Sequence, residues 1–250
     1  MVFGSLQATC DFGMRLSMLH FFWGGSWSPN CFMDMNILKY GGLCFISGFA
    51  SGMFSIPFQV ARKAYFADLT WPAELRKGYR SPLHALAKIP FTEGPLFMFK
   101  GGLPVYLGNA LLTSWTFSMY TWLKNKTFFM WVYNDIPYNM CKVGNMGVAF
   151  AIGSIMGYPF YRVKDMMDNW PKERGGRCTF EGSYWNAVKW LRLNYENYTS
   201  NLLSGYWTWF RKQGSIFLIA IWLADNYGIF TNNMTDFNTI DNIVGEGESD

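Results

Sequence analysis

The chain has 250 residues, of which 50% are hydrophobic, 20% are aromatic and only 15% are charged, with a formal net charge of +4. Soluble globular proteins carry about a quarter charged residues, so this composition argues against an ordinary soluble domain. The mean hydropathy of +0.03 is nevertheless too low for uniformly apolar spans. The combination favours amphipathic membrane helices around a polar interior, with an aromatic-rich soluble protein as the alternative.

The numbers and spacing of the cysteines and histidines limit the kinds of metal-binding or catalytic site that the protein can have. The five cysteines are scattered without a C-x-x-C spacing, and two histidines are too few for a histidine-based metal or catalytic site. No nucleophile–base pair, metal-ligand cluster or phosphate-binding loop is recognisable in the sequence. We therefore predict that the protein is not an enzyme and that it uses no metal, no cofactor and no nucleic-acid partner.

The first apolar stretch covers residues 5–23 and contains two charges. Asp11 and Arg15 lie four residues apart, which places them on one helix face where they can pair. Charges inside a membrane span normally face a protein interior rather than lipid. A soluble amphipathic helix with an exposed ion pair would show the same spacing.

The second apolar stretch covers residues 38–60 and has Pro57 near its end. The spacing Gly48-x-x-x-Gly52 allows a neighbouring helix to approach closely. A polar segment, residues 61–100, follows with seven basic and three acidic residues. Within it, residues 81–89 predict a short surface helix.

Three further apolar stretches follow, at residues 102–124, 141–164 and 205–229. Residues 161–204, a second polar segment with seven basic and five acidic residues, precede the last stretch and contain another amphipathic helix. Both basic segments follow even-numbered spans, so they share one side of the membrane, as the positive-inside pattern requires. Residues 231–250 contain five acids and no base, which predicts a solvated acidic tail on the other side.

A proline-marked motif occurs twice, with Pro57 and Pro159 separated by 102 residues. The first copy continues to Arg62 and is followed by Glu93-Gly94 and Phe99-Lys100-Gly101. The second continues to Lys164 and is followed by Phe180-x-Gly182 and Leu203-Ser204-Gly205.

This order of motifs resembles the mitochondrial carrier family. Its signature is Pro-x-[Asp/Glu]-x-x-[Lys/Arg] at the end of each odd helix, then a matrix helix, then Glu-Gly and an aromatic-[Lys/Arg]-Gly that opens the even helix. The resemblance implies an all-α membrane protein of the mitochondrial inner membrane, with about five transmembrane helices and short amphipathic helices on the matrix side.

The resemblance also implies how the chain is divided. Residues 1–36 match the end of a first carrier repeat, 37–140 a second repeat, 141–230 a third repeat and 231–250 the acidic tail. The family has six spans, so the first odd helix is expected to be absent from this chain. A bundle without it would expose polar interior groups through a seam, which predicts a partner subunit that covers it.

The positions that form gates in the family are degenerate here. The matrix gate corresponds to Pro57, Gln59, Arg62, Pro159, Tyr161 and Lys164. The prolines and bases are kept, but Gln59 and Tyr161 stand where the family has acids. The cytoplasmic gate corresponds to Tyr120, Lys124 and Asp225, in which at most one ion pair, between Asp225 and Lys124, is expected.

Two binding functions are also implied by the resemblance. The candidate substrate contacts are Asp11, Arg15, Gly108, Asn109 and Arg211. A structural alternative is that Asp11, Arg15 and Arg211 neutralise one another in a filled interior. The candidate cardiolipin contacts are Lys100, Gly101, Gly182 and Ser183, because helix N-termini present free N–H groups to phosphate.

Two functions follow from these observations. The first is a transport-inactive carrier fold that serves as an accessory subunit of a respiratory-chain complex, with cytochrome c oxidase or its supercomplex as the favoured assembly. The second is an active carrier that exchanges an anionic metabolite or nucleotide across the inner membrane. The loss of the gate acids favours the first.

Overall fold

The computed structural model describes residues 2–22, 37–70, 74, 76–99, 101–134, 138–169, 184–194 and 202–226. Its α-helices are α1 (Val2–Phe22), α2 (Ile37–Thr70), α3 (Pro82–Thr92), α4 (Leu103–Asn134), α5 (Tyr138–Asn169), α6 (Tyr184–Asn194) and α7 (Tyr206–Asn226). A short 3₁₀ helix, Pro95–Phe99, joins α3 to α4.

Helix α4 lies between α2 and α5, and glycines on both neighbours make this packing possible. A methyl group on Gly48 of α2 would lie 2.5 Å from the carbonyl oxygen of Asn109 in α4. On the other side, a methyl group on Gly157 of α5 would lie 2.9 Å from the carbonyl oxygen of Gly108. Small residues at these positions allow the helix backbones to approach closely, as the Gly48-x-x-x-Gly52 spacing predicted.

A single apolar cluster fills the space between the five long helices. Its buried members are Leu19 of α1, Tyr40 and Cys44 of α2, Leu112, Phe117 and Tyr120 of α4, Met146, Ala149 and Phe150 of α5, and Phe217 and Ile221 of α7. Phe217 is at its centre, with its ring centroid 6.0 Å from that of Phe12 and 5.2 Å from that of Phe150. The interior of the described bundle is therefore packed with aromatic side chains.

The end of α2, helix α3 and the 3₁₀ helix form a smaller unit with its own core. Ala61 of α2, Ala85 and Ile89 of α3 and Met98 of the 3₁₀ helix are buried together. Ser81 caps α3 by accepting a hydrogen bond from the backbone N–H of His84 at 3.1 Å. The predicted surface helix at residues 81–89 is thus present, and it extends to Thr92.

The helices continue beyond the predicted ends of the apolar stretches. Helix α2 passes through Pro57 to Thr70, and α5 passes through Pro159 to Asn169. Neither helix ends at its proline, although a proline inside a helix removes one backbone N–H donor and crowds the preceding turn. The prolines mark where the side chains become polar.

Two helical segments of the described residues, Leu38–Thr70 and Met140–Met167, are long and apolar enough to cross a membrane. The sequence predicted five spans. Inward-facing polar side chains, such as Arg15 in α1, lower the mean hydropathy of an amphipathic span, so five spans remains a prediction. The acidic tail at residues 231–250 lies outside the described residues.

Candidate functional site

A buried polar network lies inside the bundle, where α1, α2, α4 and α5 converge. Its centre is Arg15 of α1, whose side chain is only 2% exposed. Nη2 of Arg15 donates to Oδ2 of Asp11 at 2.7 Å, and Nε donates to Oγ of Ser51 on α2 at 3.0 Å. The predicted Asp11–Arg15 pair therefore forms, and it faces the protein interior.

The network is continued from α1 to α4 and α5 by two uncharged side chains. Nδ2 of Asn109 donates to Oδ1 of Asp11 at 3.2 Å. The hydroxyl of Tyr161 on α5 in turn donates to Oδ1 of Asn109. Gly108 makes room for this arrangement, since a methyl group there would lie 3.2 Å from the ring of Tyr161. Four of the five candidate substrate contacts thus lie together.

The fifth candidate substrate contact, Arg211, does not join them in this structure. Helix α7 turns Gly214, Phe217 and Ile221 toward the core, with a methyl group on Gly214 reaching 3.1 Å from Phe150. Arg211 lies on a different face of the helix and is exposed. Its Nε is 3.5 Å from the carbonyl oxygen of Trp207, one turn back on the same helix.

The aromatic cluster lies directly beside the polar network. The guanidinium carbon of Arg15 is 5.2 Å from the centroid of the Phe217 ring, a distance at which a cation is attracted to the ring face. The ring of Tyr161 is 5.2 Å from that of Trp209 on α7. Aromatic rings of α7 therefore border the charged network.

The other matrix-gate positions are spread over the bundle. Nε2 of Gln59 is 3.5 Å from Oγ of Ser55, within its own helix. Arg62 is exposed, with its guanidinium carbon 5.9 Å from the ring of Phe66. Lys164 is 9% exposed and lies near Gly101. Tyr161 differs from these residues because it points into the interior network.

At the opposite end of the bundle, Asp225 of α7 binds two lysines. Its Oδ1 is 2.8 Å from Nζ of Lys124 on α4, and its Oδ2 is 2.6 Å from Nζ of Lys142 on α5. The expected Lys124–Asp225 pair is present, and the third gate position, Tyr120, is buried in the core. The second pair comes from Lys142, which lies outside the gate motif, so Lys124–Asp225 is the one ion pair between the gate positions.

Lys142 was missed in the sequence, although a signal for it was there. It is a single cation near the start of an apolar helix, and ionisable residues in such segments usually have a partner in the protein interior. Its side chain is 5% exposed. The family motifs do not include this position, so motif comparison passed over it.

One of the candidate cardiolipin contacts lies within the described residues. Gly101 has φ +67, a backbone conformation that favours glycine, and it directly precedes α4. Lys100, Gly182 and Ser183 lie outside the described residues. Lipid binding at these positions stays a prediction.

Comparison with known proteins supports the resemblance to a known family. Residues 34–130 match the family model described as mitochondrial carrier protein, a range that overlaps the second predicted repeat. The chain is 24% identical over 139 residues to the macronuclear solute carrier homolog CR-MSC of Oxytricha trifallax. It is 27% identical over 117 residues to the mitochondrial citrate transporter F of Aspergillus niger.

These alignments cover 56% and 47% of this chain but only 36% and 35% of the two relatives, so the chain matches about a third of each relative's length. They support membership of the mitochondrial carrier family, and they confirm the resemblance found in the sequence. The all-α membrane fold is confirmed with it. Proteins of this family are transporters rather than enzymes.

Proposed function

We propose that this member of the mitochondrial carrier family is a multi-pass inner-membrane protein that no longer transports a solute and acts as a structural subunit. One observation carries the proposal: the hydroxyl of Tyr161, at a position where the family has an acid, donates into the interior network through Asn109. A residue that would form part of a gate is used here to close the space that a substrate would occupy.

The packed interior supports this proposal. A solute needs a polar path between the helices, whereas the ring centroid of Phe217 lies 6.2 Å from that of Phe117 and 5.2 Å from that of Phe150. The charges next to them are already paired or hydrogen-bonded by Asp11 and Ser51. Opening this interior requires separating packed aromatic rings and exposing a buried ion pair.

The residues at the matrix-gate positions also support the proposal. An acid at residue 59 or 161 could form an ion pair that is made in one state and broken in another. Gln59 instead contacts Ser55 in its own helix. Tyr161 contacts Asn109. Neither residue carries the negative charge that would attract Arg62 or Lys164, so positions 59 and 161 do not supply the acids of a carrier's matrix gate.

The outer surface fits a subunit that is covered by other proteins. Helix α1 exposes Thr9, Gly13 and Ser17 at a four-residue spacing, a small-residue face on which another helix can pack closely. Large aromatic side chains are also exposed, among them Trp185 and Trp207. We propose that the neighbours are subunits of a respiratory-chain complex, with cytochrome c oxidase or its supercomplex as the first to test, and that cardiolipin binds at the matrix surface near Gly101.

The structural role is tested by native electrophoresis of mitochondria from cells that express the tagged full chain. We expect the chain to migrate with a respiratory complex and to remain bound after mild detergent extraction. In parallel, the purified chain is reconstituted in liposomes loaded with citrate, malate, phosphate or ADP. We expect no saturable exchange of any of these solutes.

An active carrier for a carboxylate anion is the second candidate, and the buried cation favours it. Nη1 of Arg15 has no hydrogen-bond partner among the described residues, and one relative is named as a citrate transporter. If the liposomes show saturable exchange that Arg15→Met abolishes, the structural proposal is overturned. The exposed Arg211 supplies the matched control, since Arg211→Ala removes a cation from the same protein without entering the network.

A further inference from the structure

The short helices α3 and α6 pack on the long helices that precede them through matching positions. Ala85 of α3 lies in one buried cluster with Ala61 of α2, and Ala187 of α6 lies in another with Val163 of α5. The second pair follows the first by 102 residues, the same separation as that of Pro57 and Pro159. The two short helices are therefore attached to the bundle in equivalent positions.

The opposite face of each short helix exposes two large apolar side chains. In α3 these are Leu83 and Phe91, which are 56% and 91% exposed, and in α6 they are Trp185 and Leu193, which are 68% and 74% exposed. The two in each helix are eight residues apart, so they lie on one side, roughly opposite the buried alanine. The pair in α6 again follows the pair in α3 by 102 residues. Single exposed apolar residues are ordinary, but a repeated pair indicates a contact that the fold makes twice.

The charged residues of both helices are basic. Helix α3 contains Lys88, helix α6 contains Lys189 and Arg192, and neither helix contains an acid. Lys189 is exposed and lies one turn from each of the two exposed apolar residues of α6, so its aliphatic stem can cover apolar groups while its ammonium group reaches outward. Basic residues beside an exposed apolar face are typical of helices that lie in the interface of a membrane with anionic lipids.

We propose that α3 and α6 insert Leu83, Phe91, Trp185 and Leu193 into the lipid leaflet at their end of the bundle, with their basic side chains at anionic headgroups. The occupant is a leaflet because the same face is repeated on helices that pack on different long helices. A leaflet surrounds the bundle and meets both faces, whereas a protein partner would need two matching apolar surfaces.

This membrane contact goes beyond the structural role proposed above, and it applies to a structural subunit and to an active carrier alike. Of the exposed surfaces described there, it assigns Trp185 to lipid and leaves Trp207 and the small-residue face of α1 to protein neighbours. It also differs from lipid binding near Gly101, because it requires inserted apolar side chains rather than N–H groups that bind a phosphate.

Photocrosslinking in liposomes tests what covers this face. The full chain is prepared with the photoreactive residue benzoylphenylalanine in place of Phe91 and, as a control, in place of Thr92, which is exposed on a different face of the same helix. The liposomes contain phosphatidylcholine and phosphatidylglycerol, without cardiolipin. We expect about fivefold more phospholipid adducts at position 91 than at position 92, because only position 91 is expected to contact acyl chains. Equal yields at the two positions would overturn the proposal.

The same two preparations are also irradiated in mitochondria of cells that express them, where protein neighbours are present. We expect phospholipid adducts to predominate at position 91 there as well. A crosslink from position 91 to another protein, or to a second copy of this chain, in place of lipid would show that the face is a protein interface, and the assignment to lipid would be rejected.

Hydrogen exchange covers the case in which the photoreactive residue disturbs the fold. Leu193→Gln removes an apolar side chain with little change in helix propensity, and Asn186→Gln is the control at an exposed polar position of the same helix. In the same liposomes, amide exchange of residues 184–194 should become about tenfold faster in Leu193→Gln, the scale expected when one apolar side chain leaves the leaflet. It should stay unchanged in Asn186→Gln. Unchanged exchange in Leu193→Gln would mean that this side chain is in water, which would contradict insertion.

Discussion

The hydroxyl of Tyr161 donates a hydrogen bond to Oδ1 of Asn109, and these two residues lie 52 positions apart on neighbouring helices. Asn109 passes the contact on to Asp11, which pairs with Arg15. A position that belongs to a matrix-gate motif is thereby connected to positions that belong to a substrate site. One residue of the matrix-gate motif and three of the candidate substrate contacts therefore share one hydrogen-bonded network in this protein.

Replacement of Tyr161 by phenylalanine should destabilise the protein by about 1 kcal/mol. The ring remains in place, but Oδ1 of Asn109 loses its hydrogen-bond donor in a buried environment. The free energy of unfolding is measured in detergent for this variant and for a control variant. Tyr65→Phe, which removes the hydroxyl of a half-buried tyrosine near the end of α2, is the control, and an equal loss in the two variants would contradict the role given to Tyr161.

Removal of Asp11 should cost more than removal of both members of its ion pair. Asp11→Ala leaves the buried guanidinium of Arg15 without its carboxylate, and breaking a buried pair in this way costs about 3–5 kcal/mol. Asp11→Ala/Arg15→Met should recover a large part of that loss, because no charge is then left unpaired. A double variant less stable than Asp11→Ala alone would argue against this account, whereas the exposed Arg211→Ala should change stability by only about 0.5 kcal/mol.

Two glycines of α2 should respond in opposite directions to alanine. At Gly48 the added methyl group would lie 2.5 Å from the carbonyl oxygen of Asn109 and 2.8 Å from Cα of Ala110, so the helices must separate, at a cost of about 1–3 kcal/mol. At Gly42 nothing lies within 4 Å, so alanine should stabilise the helix by about 0.5–1 kcal/mol. Unfolding of both variants in the same detergent checks the sign, and a stabilising Gly48→Ala would mean that α2 and α4 are not in close contact.

Removal of the Phe217 ring, at the centre of the apolar cluster, should strongly destabilise the protein. Phe217→Ala deletes a side chain that contacts Phe12, Phe117 and Phe150, and such a change costs about 3–5 kcal/mol because a cavity is left behind. Ile219→Ala on the same helix removes a side chain that is 60% exposed and should cost far less. Similar losses for the two variants, measured by thermal unfolding, would show that the interior is not filled as described.

The sequence by itself determined the order of the helices, the close helix contacts and the resemblance to the mitochondrial carrier family. These depend on local patterns: a proline motif repeated after 102 residues and glycines at a four-residue spacing. It also brought out the Asp11–Arg15 pair, because residues four apart share one face of a helix. Local spacing is enough for such features, since both partners belong to one element.

Only the tertiary structure decided what each polar side chain meets. The sequence placed Tyr161 in the matrix-gate motif together with Lys164. In the structure, the packing of α5 against Gly108 turns the Tyr161 side chain toward Asn109. The rotation of α7 places Asp225 between two lysines and leaves Arg211 on an exposed face. Helix rotation is set by the packing of glycines and rings from separate elements, and residues far apart in the chain acquire their partners only when that packing is complete.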